Sequence, residues 1–133
     1  TKDFVNELAE CTLRQRDAIS GGDHAAAILA VNEFHHRMFD LSHNSALNLL
    51  AGMLHSIAST IYPRLLLSIP NQRAVRIRTE ESVKAHDELL ALISASKASL
   101  AEAYWREYMV DTADFFTKFG LANTPVRLDT STL

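Results

Sequence analysis

Only four glycines and three prolines interrupt 133 residues, and between them the apolar side chains recur at steps of three and four. That spacing places them on one face of a helix. A first helix is expected over 3–20, with Phe4, Leu8, Cys11 and Ile19 facing inward and Gly21-Gly22 as its stop. Asp23 is a suitable N-cap for a second helix, whose inner face carries Ala27, Val31, Phe34, His35, Met38 and Leu41. A third begins near Asn44 or Ser45 and runs through Leu47, Leu50, Leu54, Ile57 and Ile61. Pro63 bends or ends it, because proline removes an amide donor and crowds the preceding turn. Leu65-Leu66-Leu67 extends it in bent form, and Pro70-Asn71-Gln72 reads as a loop. The fourth helix is expected from Thr79, with Glu80 and Glu81 favourably placed in its first turn, and carries Val83, His86, Leu89, Leu90 and Ile93. The last spans 97–118 through Leu100, Tyr104, Tyr108, Thr112 and Phe115, and Gly120 ends it. Neither strand alternation nor an internal repeat is visible. The fold class is therefore all-α, an antiparallel bundle of about five to six helices over 1–120, followed by a flexible tail at 121–133.

A chain of this length makes one domain and buries about two-thirds of its unfolded surface, so a core is available without staples. Cys11 is the single cysteine, which excludes an intrachain disulfide and fits a reducing, cytoplasmic setting. Cys11 has no histidine near it in sequence and reads as a packed thiol. No apolar run approaches the ~20 residues that cross a bilayer. The net charge of −3 and the lack of a basic stripe argue against this domain holding nucleic acid by itself.

His35 and His86 lie on the apolar faces of two different expected helices, and Tyr108 on that of a third. Inward side chains from several helices are what a site in a bundle core requires. Imidazole is the usual neutral nitrogen ligand for transition metals and a proton carrier near neutral pH. The plainer alternative is a pair of core histidines, each hydrogen-bonded to a neighbour. Asn32 and Ser82 lie one turn before His35 and His86 respectively, where each can add a polar contact. Tyr104 and Thr112 flank Tyr108, with Thr112 read as an ordinary structural residue. Arg64, Arg73, Arg76 and Arg78 surround the Pro70 loop. A guanidinium matches a carboxylate well, although a solvated loop is the preferred reading of any one of these arginines. His24, His36, His43 and His55 are set aside as off the inner faces.

Phe34-His35-(x)8-Asn44, then Ala85-His86-Asp87-Glu88-Leu89-Leu90, then Arg106-Glu107-Tyr108 have an order and spacing that resembles the ligand-binding FCD domain of GntR-type transcription regulators of the FadR branch. The resemblance covers residues 4–119. It implies an effector-sensing and dimerisation domain rather than an enzyme. It further implies a small-molecule effector, often a carboxylate, in the bundle core, and a homodimer. Operator DNA would be reached only through a winged helix-turn-helix domain absent from this chain, as is the family's preceding helix, so a fragment or a trimmed regulator is expected. The family's metal ion takes one aspartate and three histidines. Here Val31 stands at the aspartate position and Tyr108 at the last histidine. His35 and His86 remain as metal ligands, and two imidazoles with weak oxygen neighbours are expected to hold zinc or nickel loosely at best. The site is expected to consist of His35, His86, Tyr108, Asn32 and Ser82 contacting a ligand or water directly.

Two other classes fit parts of the pattern. His86-Asp87 resembles the paired residues of HD-type metal-dependent phosphohydrolases, with His55 and Asp111 as further ligands. That reading leaves Phe34-His35-(x)8-Asn44 and Tyr108 unexplained. A helical dimerisation module without a ligand is the other.

Overall fold

The computed structural model describes residues 2–40 and 64–120, with positions 49, 52, 53, 59 and 61 between them. The described residues are almost entirely helical and contain no strand, as an all-α bundle requires. The long helices are α1 (Lys2–Ser20), α2 (His24–Asp40), α3 (Gln72–Ser94) and α4 (Ala98–Lys118). The described positions in 49–61 and the stretch 64–68 are helical as well. Most of the expected third helix, including Asn44 and Pro63, and the expected tail at 121–133 lie outside the described residues.

The α1–α2 turn forms as the sequence suggests. Gly22 adopts φ 75°, a left-handed conformation that glycine takes without a side-chain clash. This lets the Asp23 amide reach back to the Ala18 carbonyl at 2.8 Å and close the end of α1. Asp23 then caps α2, its Oδ1 accepting from the Ala26 amide at 2.9 Å. Glu7 pairs with Arg37 and Arg14 with Glu33, a reversed order of partners that makes α1 and α2 antiparallel. At the end of α3 the left-handed position is filled by Ser96, φ 56°, and the Lys97 amide bonds to the Leu92 carbonyl at 2.9 Å.

α3 begins seven residues earlier than expected, at Gln72 instead of Thr79. The Pro70-Asn71-Gln72 loop is in fact a start signal. Asn71 is the N-cap, its Oδ1 accepting from the Ala74 amide at 3.1 Å. The Gln72 side chain turns back and donates to the Ile69 carbonyl at 2.6 Å, satisfying the end of the preceding helical stretch. The arginines assigned to this loop are therefore helical, and Arg76 and Arg78 make i,i+4 and i,i+3 pairs with Glu80 and Glu81.

The interior has two apolar clusters. One joins Leu8, Cys11, Phe34, Leu89, Leu90 and Ala101. The other joins Ile28, Leu66, Ile69 and Val75, with Phe115, Phe116 and Phe119 packed on it. Along α3 the buried polar residues Thr79, Ser82 and His86 lie between the two. Leu8 is fully buried, whereas Leu13 on the same helix is 51% exposed. Leu8→Ala should cost about 2–5 kcal/mol, from lost burial plus the cavity left behind. Leu13→Ala should change stability by only about 0.5 kcal/mol or less. Urea unfolding of the two variants measures the contrast, and equal losses would contradict this core.

Candidate functional site

The centre of the buried polar seam is Gln15 of α1, a fully buried amide absent from the residues singled out in the sequence. It occupies the inward position four residues after Cys11, the gap in the apolar stripe before Ile19. An uncharged amide at a core register was the available signal. Gln15 Nε2 donates to Ser82 Oγ at 2.5 Å and to the Thr79 carbonyl at 3.3 Å. Its Oε1 therefore faces His86 Nδ1, 3.1 Å away, and Nδ1 must carry the proton. Nε2 of His86 is left as a bare acceptor, fully buried and with no hydrogen-bond partner among the described residues.

Aromatic rings enclose that imidazole. Phe34 stacks on His86 with centroids 3.8 Å apart and planes 7° apart. His35 meets it edge-on at 5.4 Å and Tyr108 at 5.9 Å. The Trp105 ring centre lies 5.3 Å from that of His35 and 5.1 Å from that of Tyr108. Thus α2, α3 and α4 bring His35, His86 and Tyr108 together, and Ser82 joins them through Gln15. Asn32 is buried on α2, but these ring and hydrogen-bond contacts do not include it, and its Nδ2 has no partner among the described residues.

Beside Ser82 and Tyr108 is a cavity of about 30 Å³, lined also by Ile28, Val31, Leu66, Arg78 and Thr112. Of the four arginines placed around the Pro70 loop, Arg78 is the one that lines this cavity, from α3 and not from a loop. Its guanidinium carbon lies 5.1 Å from the centre of the Tyr108 ring and 5.9 Å from that of Phe115. One of its N–H groups donates to Thr112 Oγ1, which in turn donates to the Tyr108 carbonyl at 2.8 Å. Thr112 is thus part of this wall and not a bystander. Arg78, Ser82 and His86 are spaced four apart on one face of α3, a pattern hidden when the helix was started at Thr79.

Burial sets the protonation of this centre. It pushes the His86 pKa well below the ordinary histidine value, and the neighbouring His35 adds to the shift. Burial also raises the Tyr108 phenol, against the lowering influence of Arg78, Thr112 and Ser82. At neutral pH the centre therefore holds a neutral imidazole and a protonated phenol. Cys11, also buried, has its thiol pushed up by burial, consistent with a packed residue.

The metal set implied by the resemblance does not fit these residues. Val31 brings a buried aliphatic side chain to the aspartate position, and the protonated Tyr108 phenol is a poor ligand. No group of three or more His, Cys, Asp or Glu side chains converges among the described residues. The phosphohydrolase alternative loses its second ligand as well, since Asp87 is half-exposed and pairs with Arg16 at 2.6 Å. His55 lies outside the described residues, and Asp111 lines an open groove between α3 and α4.

Because the folded His86 pKa lies below its unfolded value, the unfolded chain takes up that proton first. Stability is complete above about pH 7.5 and falls as pH drops through the unfolded value of about 6.5, by up to about 1.4 kcal/mol per pH unit for this one group. A His86→Leu variant should have a correspondingly shallower acid limb in its thermal-unfolding midpoint. Parallel profiles between pH 7.5 and 5 would refute a neutral buried His86.

The model for the FCD domain matches residues 1–111. No curated protein and no solved structure matches the chain. No helix among the described residues is long and apolar enough to cross a membrane. The match covers most of the chain and includes His35, His86 and Tyr108, so the chain belongs to the FCD family, the C-terminal effector-binding domain of GntR-family transcription regulators.

Proposed function

We propose that this domain senses a small organic acid in its bundle core and, as a homodimer, passes the occupancy on to DNA-binding heads outside the chain. The observation that carries the reading is the cavity beside the Ile28–Leu66 cluster, apolar at Ile28, Val31 and Leu66 but lined also by the polar groups of Arg78, Ser82, Tyr108 and Thr112. A largely apolar pocket with a few convergent polar groups is the usual form of a small-molecule site. Tyr108 and Ser82 line that cavity and would contact the ligand directly, whereas His35 and His86, reached through the Tyr108–His86 ring contact, and Asn32 on α2 complete the proposed set without lining it. His35 and His86 alone would give zinc or nickel only a loose hold. The effector changes the regulator through its different affinity for the alternative arrangements of the dimer.

A thermal-shift screen of small carboxylates, sugar acids and divalent metals against this chain tests the reading. One of the acids should stabilise the fold saturably, by about 2.7 kcal/mol at a hundredfold excess over its Kd. Tyr108→Phe should weaken that acid by up to about tenfold through loss of one hydrogen bond. A dimer that responds to none of the acids would instead support a pure interaction module.

A further inference from the structure

We propose that Arg78 provides the positive charge that a metal ion provides in this family, and that the ligand it holds is a monocarboxylate, its acid group in the inner cavity and its remainder in the groove between α3 and α4. This rests on the reading of the domain as an effector sensor.

Arg78 is the only cationic side chain lining either space among the described residues. Together with Tyr108 it borders both, so the two spaces meet at these two residues. Its side chain is only 17% exposed. A guanidinium taken this far from water needs its charge matched. The Tyr108 and Phe115 rings contribute cation–π attraction. The Thr112 hydroxyl accepts one N–H, and Glu81 lies 3.6 Å away on a side chain that is itself 55% exposed. Five N–H donors radiate from a guanidinium in a planar fork suited to a carboxylate, and these two contacts leave most of that capacity for a ligand.

The sizes of the two spaces set the rest of the ligand. An inner volume of about 30 Å³ has room for one or two waters, and so for an acid group but not a whole metabolite. The adjoining groove has about 350 Å³, within the usual range for small-molecule sites. Its other lining residues are Glu81, Ala85, Tyr104, Glu107, Tyr108 and Asp111. Three carboxylates there repel a second acid group on the ligand and accept hydrogen bonds from hydroxyls. The groove thus selects against dicarboxylates and tricarboxylates while the inner cavity selects for one carboxylate.

Titration calorimetry of this chain with acetate, lactate, gluconate, succinate and citrate tests the proposal, each acid run in EDTA and again with zinc or nickel. At least one monocarboxylate should bind with the same affinity in both conditions, and at least tenfold more tightly than succinate or citrate. Arg78→Gln should weaken it at least tenfold, and Arg78→Lys should recover part of the loss. If Arg78→Gln fails to fold, Glu81→Gln, an exposed change that removes the competing carboxylate, should tighten the monocarboxylate by a few fold. Binding abolished by EDTA, an unaffected Arg78→Gln variant, a Glu81→Gln variant with unchanged affinity, or a preference for citrate would each overturn the arginine assignment while leaving the sensor reading intact. Failure of all five acids to bind in either condition would overturn both.

Discussion

The hydrogen bonds of Gln15 hold the interior in register. One amide on α1 donates to two groups on α3 and accepts from a third, so it ties the two helices at Thr79, Ser82 and His86 together. A buried amide or imidazole left without partners costs about 1–3 kcal/mol per group, so sliding α1 along α3 would expose several such costs at once. The apolar clusters on either side have no comparable directionality, since hydrophobic contact tolerates small shifts. The seam therefore fixes which residue of α1 meets which of α3. Everything built on that register, including the stacking of Phe34 on His86 and the placement of Tyr108, follows from it.

Much of the fold was legible because periodicity and capping report local physics. The Gly22 turn and the Asp23 cap formed where expected, as did the inward faces of α1 and α2. The start of α3 was misplaced because Asn71 was read for its turn tendency, and three arginines within six residues suggested solvent. On a helix those arginines face outward or pair with the next turn, and only Arg78 reaches inward. The histidines and Tyr108 were legible because polar residues on apolar faces are conspicuous. Gln15 was not, since its partners are 64, 67 and 71 residues away in sequence. Long-range polar pairing leaves no local trace beyond an unusual residue at a core position.

The same seam relates the cavity to the rest of the bundle. Ser82 lines the cavity and also accepts from Gln15, while its hydroxyl donates to the Thr79 carbonyl at 2.7 Å. A group that enters the cavity and recruits the Ser82 hydroxyl must compete with those bonds. Any such competition acts on α1, because Gln15 has no second set of partners on α3. Occupancy and helix position are thereby linked through one side chain, with no need for a large displacement of the apolar clusters.

Charge is the remaining constraint, and it explains why Val31 and Tyr108 belong together. A buried carboxylate at position 31 without a metal would be an unpaired charge, which costs several kcal/mol or is relieved by protonation. Valine removes that problem. Tyrosine in place of a third imidazole keeps a polar tip on α4 while burial holds it protonated. His86 is driven the same way, its imidazole kept neutral. Beside these two neutral groups the cavity is lined by a guanidinium, which has no accessible neutral form and so resists this pressure. The environment that makes a metal set unsuitable is therefore the one in which a single arginine keeps its charge, and in which an anion gains most from meeting it.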